Sequence, residues 1–249
     1  MTNNTQIYDP LIIELDEYLD LSNFNLCVQE FIDSLDKIPE EKKTIGCFSP
    51  DESIEDPVDS KTIALRIIKN YEDMLDYALV DKEEKWEDGT LYDLFPTIKK
   101  FVSTLPFKSI GRIFISFTEN RTNIEPHAEF IPIIQKGWRQ EFLWFSMIGN
   151  KRMWATNYDN TLEFYKNGFV VEDGFEKVYS KGISCRFNPV MLHGVECGDD
   201  FSASLRIDGE YTKEFRKKIF GDTEWRTEFD YVDDTDLFKQ DQKNFNINK

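Results

Sequence analysis

Between Ile110 and Tyr211 the chain reads as a succession of short strands, and that stretch restricts the fold more than any other. Its runs are rich in β-branched and aromatic residues and alternate with period two, which sends successive side chains to opposite faces. The pattern predicts strands at 111–118, 127–134, 141–148, 152–157, 182–187, 191–196 and 201–211. Turn residues punctuate the gaps at Glu119-Asn120, Gly149-Asn150, Asp159-Asn160 and Gly198-Asp199. Many short strands without helices between them predict a jelly-roll or barrel.

The preceding segment looks helical. Phe24, Cys27, Val28, Phe31 and Leu35 have helical spacing over 24–35, and after Asp56-Pro57 the residues Ile63, Ile67, Tyr71, Met74 and Ala78 recur every three or four positions. A third helix is expected over 91–105 with a break at Pro96. None carries a catalytic pattern. Residues 1–109 therefore read as a helical buttress of one domain, 110–211 as its β core, and 212–249 as a short helix (212–220) followed by an acidic tail.

Composition narrows the partners. Among 249 residues the net charge is −17, which repels nucleic acid and anionic membrane alike, while 40% hydrophobic content suits a packed core. No apolar run is long enough to cross a bilayer, and no basic leader precedes one. Cys27, Cys47, Cys185 and Cys197 form no CxxC pair, as expected of reduced thiols in a cytoplasmic protein.

The chain has two histidines, and both fall on predicted strands. His127 and Glu129 form an H-x-E pair, so one strand directs an imidazole and a carboxylate to the same side. His193, the other imidazole, ends the run 187–193. Two imidazoles and one carboxylate are the facial ligand set of non-haem Fe(II), which keeps coordination positions open. Zinc on the same three residues is chemically possible, and a carboxylate pair of glycosidase type is uninformative in so acidic a chain. No nucleophile elbow, P-loop or dinucleotide-binding glycine fingerprint occurs. If Gly198-Asp199 makes a two-residue hairpin, His193 pairs with Ser204, and Arg206 lies two positions along on the same face. Phe201, Ala203, Leu205 and Ile207 would form the apolar face of that strand, with Ser202, Ser204 and Arg206 on the polar one.

These residues resemble the Fe(II)/2-oxoglutarate-dependent dioxygenases, most closely the aspartyl/asparaginyl β-hydroxylase-like and proline hydroxylase-like branch. The likeness covers about residues 110–211: Gly111-Arg112-Ile113-Phe114 before the loop to His127-Ala128-Glu129, then His193, then Ser204-Leu205-Arg206-Ile207-Asp208, with 142–150 similar to the family strand that ends in a turn. The resemblance implies a mainly β fold with flanking α, a double-stranded β-helix (jelly-roll, cupin-like) behind N-terminal helices. It implies Fe(II) on His127, Glu129 and His193, with 2-oxoglutarate and O2 as cosubstrates. Arg206, assisted by Ser204, would meet the far carboxylate of 2-oxoglutarate, with Arg112 or Arg152 as the fallback anchor. Trp144 stands where relatives often carry a cosubstrate-contacting histidine. The acid is Glu where Asp is commoner, and thirteen positions separate His193 from Arg206, a longer interval than usual. The implied reaction is hydroxylation of an unactivated C–H bond in an amino acid, a peptidyl side chain or another small metabolite. A cupin-like metal isomerase or hydrolase that does not use 2-oxoglutarate, and a non-catalytic β-barrel binding module, are the other readings of the same residues.

Overall fold

The computed structural model describes residues 10–45, 60–69, 83–119, 124–127, 141–167, 175–189 and 191–221. They form two antiparallel sheets that face each other. The strands are β1 (Ile12–Glu14), β2 (Thr44–Ile45), β3 (Ser60–Ile68), β4 (Trp86–Asp88), β5 (Phe107–Thr118), β6 (Ile124–His127), β7 (Glu141–Ile148), β8 (Arg152–Ala155), β9 (Val178–Tyr179), β10 (Ser184–Phe187), β11 (His193–Glu196) and β12 (Ser202–Tyr211). The large sheet runs β1-β10-β7-β12-β5-β3-β2 with β4 beside β3, and the small one runs β6-β11-β8-β9. Helices are α1 (Phe24–Ser34), α2 (Pro96–Val102), α3 (Tyr158–Lys166) and α4 (Lys213–Phe220).

Alternation along the central strands gives the large sheet two different faces. Ile113, Ile115 and Phe117 of β5, Leu143, Phe145 and Met147 of β7, and Ala203, Leu205 and Ile207 of β12 join Phe24, Phe31, Ile98 and Phe101 of α1 and α2 in the main core. Phe24, Phe101 and Phe145 close a triangle with ring centroids 5.3–5.4 Å apart. Glu30 of α1 fixes α2 by accepting from the amides of Thr97 and Ile98 at 2.8 and 2.9 Å, a carboxylate placed at a positive helix end. The opposite face of the large sheet meets the small one through Phe142, Trp144, Cys185 and Phe187 on one side and Met153 and Val195 on the other.

Two polar clamps hold the flanks. Glu14 and Asp16, at and just beyond the end of β1, accept from the backbone amides of Lys181 through Ser184 at 2.7–2.9 Å, tying β1 to the entry of β10. At the other flank Glu141 receives the amide of Tyr211 at 2.6 Å and two bonds from Arg216, at 2.6 and 2.8 Å, which locks α4 onto β7. Tyr211 donates its hydroxyl to the carbonyl of Phe142, and burial raises its pKa, so it stays a donor at any ordinary pH.

Several expectations need correction. The helix expected after Asp56-Pro57 is, where described, strand β3. Ile63 and Leu65 are both fully buried, a period of two, and the strand is paired along β5 from Ser60 to Arg66. A run of Ile, Ala and Leu suits either period, and the partner strand decides it. The segment before residue 109 thus supplies four strands of the large sheet as well as helices. Helix 91–105 is a 3-10 turn (Tyr92–Leu94) followed by α2, with Pro96 opening the helix, where a missing N–H costs nothing, and not breaking it. The run of strands is also interrupted by α3, whose first turn is capped when Asn157 Oδ1 accepts from the Asn160 amide at 2.9 Å. The largest correction concerns Gly198-Asp199. It makes no hairpin, because β11 pairs with β6 and β8 whereas β12 pairs with β5 and β7, so the chain crosses between the sheets there. Ser204 is therefore not opposite His193. The acidic tail and the stretch 128–140 lie outside the described residues.

Phe145 is fully buried at the centre of the aromatic triangle and points away from the small sheet. Phe145→Ala is expected to lower unfolding stability by about 3–5 kcal/mol with the circular dichroism spectrum retained, as read by denaturant titration.

Candidate metal and anion site between the sheets

The site begins with strand pairing. In the small sheet His193 of β11 is in register with His127 of β6 on one side and with Ala155 of β8 on the other. Cross-strand partners project to the same face, and the imidazole rings meet with centroids 4.5 Å apart. The His193 ring also packs on Phe187 of the large sheet at 4.6 Å, so it points into the space between the sheets. It is buried, whereas His127 is exposed at the sheet edge. One imidazole is fixed by packing and the other is reachable from solvent.

The hydrogen bonding of His193 settles which nitrogen can act. Its Nδ1 lies 2.7 Å from the carbonyl oxygen of Met191, an acceptor that requires the proton on Nδ1. Neutral His193 therefore presents the lone pair of Nε2. Metal-binding histidines are commonly oriented in this way, by giving the second ring N–H to a carbonyl or carboxylate. Two adjacent imidazoles, one with its tautomer set, fit a divalent metal. Glu129, the third ligand expected from the sequence, lies outside the described residues, and among the described residues no group of three metal-ligating side chains forms. The Cys185 thiol is pushed well up by complete burial, so it packs as a neutral group and supplies no thiolate.

The facing surface of the large sheet is laid out in cross-strand rows. Ser204 sits between Ser116 of β5 and Ser146 of β7, and Arg206 between Phe114 and Trp144. Arg206 is buried. Its guanidinium carbon lies 4.3 Å from the Phe142 ring centroid and 5.7 Å from that of Phe187, the ring that also contacts His193. One phenylalanine thus separates the arginine from the imidazole, and the two lie no farther apart than the sum of those contacts. Arg206 Nε donates to Asp208 Oδ1 at 2.9 Å, and Arg112 Nε to Asp208 Oδ2 at 2.6 Å. Trp144 is buried beside Arg206 and pairs with Cys185 of β10.

The sequence did not single out two of these groups. Asp208 was visible only as the end of the strand motif, and its pairing with two arginines depends on the β5–β12 register. Lys151 follows the turn in which Gly149 and Asn150 both have positive φ, reverses into the interior with 1% of its surface exposed, and places Nζ 3.1 Å from the carbonyl of Ser116. No sequence signal marks it, because a lysine after a turn normally faces water. Arg152, a fallback anchor, is exposed and lies 5.0 Å over the Tyr179 ring of β9, away from this face.

No protein-family model and no curated protein matches the chain. Solved structures with some likeness include a prolyl hydroxylase from Trichoplax adhaerens in complex with a peptide of hypoxia inducible factor (9% identity, 87% of this chain and 90% of that one, TM-score 0.45). Another is HygX from Streptomyces hygroscopicus with nickel and 2-oxoglutarate bound (8% identity, 75% and 79%, TM-score 0.38). A third, of the DMSP lyases RdDddP and RnDddQII, matches at 12% identity over 47% of this chain and 43% of that one, with a TM-score of 0.25, so this chain spans less than half of its length. At these values the likenesses carry no argument about activity, which rests on the residues themselves.

His127→Ala and His193→Ala are each expected to abolish binding of Fe(II) at micromolar concentration, measured by anaerobic calorimetry, with the circular dichroism spectrum retained. Stoichiometric metal in either variant would remove that histidine from the ligand set.

Proposed function

We propose that the chain is an Fe(II)- and 2-oxoglutarate-dependent oxygenase that hydroxylates an unactivated C–H bond of an amino acid, a peptidyl side chain or another small metabolite. The observation that carries this reading is the placement of His127 and His193 in register on adjacent strands, one aromatic ring away from the buried Arg206. The strand order supports a double-stranded β-helix. From β5 onward β5, β7, β10 and β12 lie in the large sheet and β6, β8, β9 and β11 in the small one, an alternation between two antiparallel sheets that supports the jelly-roll reading.

Each residue then has a defined task. His127, His193 and Glu129 would hold the metal, and the Met191 carbonyl keeps His193 in the ligating tautomer. When bound, iron with 2-oxoglutarate and O2 would supply the oxidising power, releasing succinate and CO2. Arg206 would hold the carboxylate of 2-oxoglutarate that is remote from the metal. Its planar fork suits a carboxylate, and a five-carbon diacid spans roughly 5 Å between its end carbons, a length compatible with one intervening ring. Ser204 adds a hydroxyl on the neighbouring row, and Trp144 walls the side next to Arg206. Phe142, Phe187 and Trp144 exclude water around the guanidinium, which strengthens any charge-assisted contact made there. The net charge of −17 disfavours nucleic acid as substrate.

The direct test is succinate release in the presence of Fe(II), ascorbate and a panel of amino acids and peptides. Turnover that depends on 2-oxoglutarate is expected, and metal-dependent conversion of any substrate without succinate would contradict the reading. Arg206→Ala is expected to raise the KM for 2-oxoglutarate at least tenfold with Fe(II) binding kept, because truncating one partner of a buried charge pair costs about 2–4 kcal/mol. Wild-type dependence on 2-oxoglutarate in that variant would transfer the anchor to Arg112 or Lys151.

A further inference from the structure

Helix α3 reaches the histidine pair through one threonine. Thr161 is fully buried, and its hydroxyl lies against the segment that leads into His193. Its Oγ1 donates to the Asn157 carbonyl one turn back at 2.8 Å, which fixes the rotamer, and accepts from the Leu192 amide at 2.9 Å. The carbonyl of Leu192 is held as well, accepting at 3.0 Å from the Thr156 amide just past the end of β8. Met191, Leu192 and His193 are each 1% exposed, so bulk water does not substitute for any of these bonds.

The Leu192 amide and the Met191 carbonyl belong to one peptide plane, in which N–H and C=O point in opposite directions. That carbonyl is the acceptor of His193 Nδ1 at 2.7 Å. One peptide unit therefore links two buried hydrogen bonds, with Thr161 on one side and the imidazole on the other. The bonds run head to tail, from the imidazole N–H through the peptide and the Thr161 hydroxyl to the Asn157 carbonyl, and each polarises the next. We propose that Thr161 is a positioning residue for the metal site: it holds this peptide so that the Met191 carbonyl keeps the His193 proton on Nδ1 and Nε2 free to ligate. The inference rests on the reading of His193 as a metal ligand. Thr161 touches no metal itself, and its effect passes through the peptide.

Removing the hydroxyl strands the Leu192 amide without an acceptor in a dry place. The peptide relieves this by rotating, and rotation withdraws the Met191 carbonyl from the imidazole. Partners that orient a metal-bound histidine each change metal affinity by roughly 10- to 100-fold, and Thr161 stands one bond farther out. Thr161→Val keeps the shape and loses the hydroxyl, so it is expected to raise the metal Kd on the order of tenfold. Thr161→Ser keeps the hydroxyl and is expected to stay within about threefold of the wild type. A merely structural role predicts instead a lower melting temperature with an unchanged Kd.

The experiment is calorimetric titration of Co(II) into the full chain, at a temperature where thermal melts show every variant folded. Nitrogen-15 spectra of the imidazoles in the metal-free protein accompany it. Weakened binding in Thr161→Val with rescue in Thr161→Ser, and His193 protonated at Nδ1 in the wild type but shared between both nitrogens in the valine variant, support the proposal. An unchanged Kd in Thr161→Val, or equal losses with valine and serine, overturns it. Should Thr161→Val fail to fold, Thr161→Cys decides: a thiol fills the place of the hydroxyl but accepts weakly, so an affinity equal to that of the serine variant overturns the proposal. Wild-type protein that binds no Co(II) overturns the reading of the histidines as ligands, while wild-type binding with no ordering among the Thr161 variants overturns this inference alone.

Discussion

The structure's chemistry depends on one pairing, that of β11 with β6. It sets His193 opposite His127 and brings two imidazoles to 4.5 Å from strands more than sixty residues apart in sequence. A slip of one residue would send one ring to the outer face and dissolve the site, because side chains alternate along a strand. Packing guards the register: Val195 and Met153, paired across β11 and β8, both face the interior cluster, so the whole strand is locked by apolar burial on one side.

The large sheet divides its work between its faces. Toward α1 and α2 it buries a continuous aliphatic and aromatic layer, the larger of the apolar clusters that favour folding. Toward the small sheet it carries serines, arginines and Asp208, polar groups whose burial is tolerable only with hydrogen bonds or ion pairs. Cysteine follows the same division. Cys27 is sealed in the main core, where burial raises its pKa to about 12, and Cys185 lies beneath the functional face, likewise protonated. A sheet that is stable on one side can carry paired, buried polar groups on the other.

Much of this was legible in the sequence where a strand obeys a period of its own. Strand 141–148 emerges with both predicted ends, and the alternation of Ala203, Leu205 and Ile207 against Ser202, Ser204 and Arg206 matches the two faces of β12. What failed depended on partners distant in sequence. Ile63 and Leu65 read equally as helix or strand until β5 lies beside them. Gly198-Asp199 has the composition of a hairpin turn, yet nothing local reveals that β11 and β12 belong to different sheets. Asp208 and Lys151 escaped notice for a related reason: an acid and a lysine read as surface residues, and only the register of β12 with β5 and the turn before β8 bring them inside.

The central claim is that these two histidines hold a metal between the sheets, with the arginine face across from them. A crystal structure of the full chain grown anaerobically with Fe(II) and 2-oxoglutarate, with data collected at the iron absorption edge, tests it most directly. The account predicts an anomalous peak bonded to both His127 and His193, with 2-oxoglutarate reaching from it toward Arg206. Iron bound elsewhere, or histidines without metal beside an ordered 2-oxoglutarate, would contradict it.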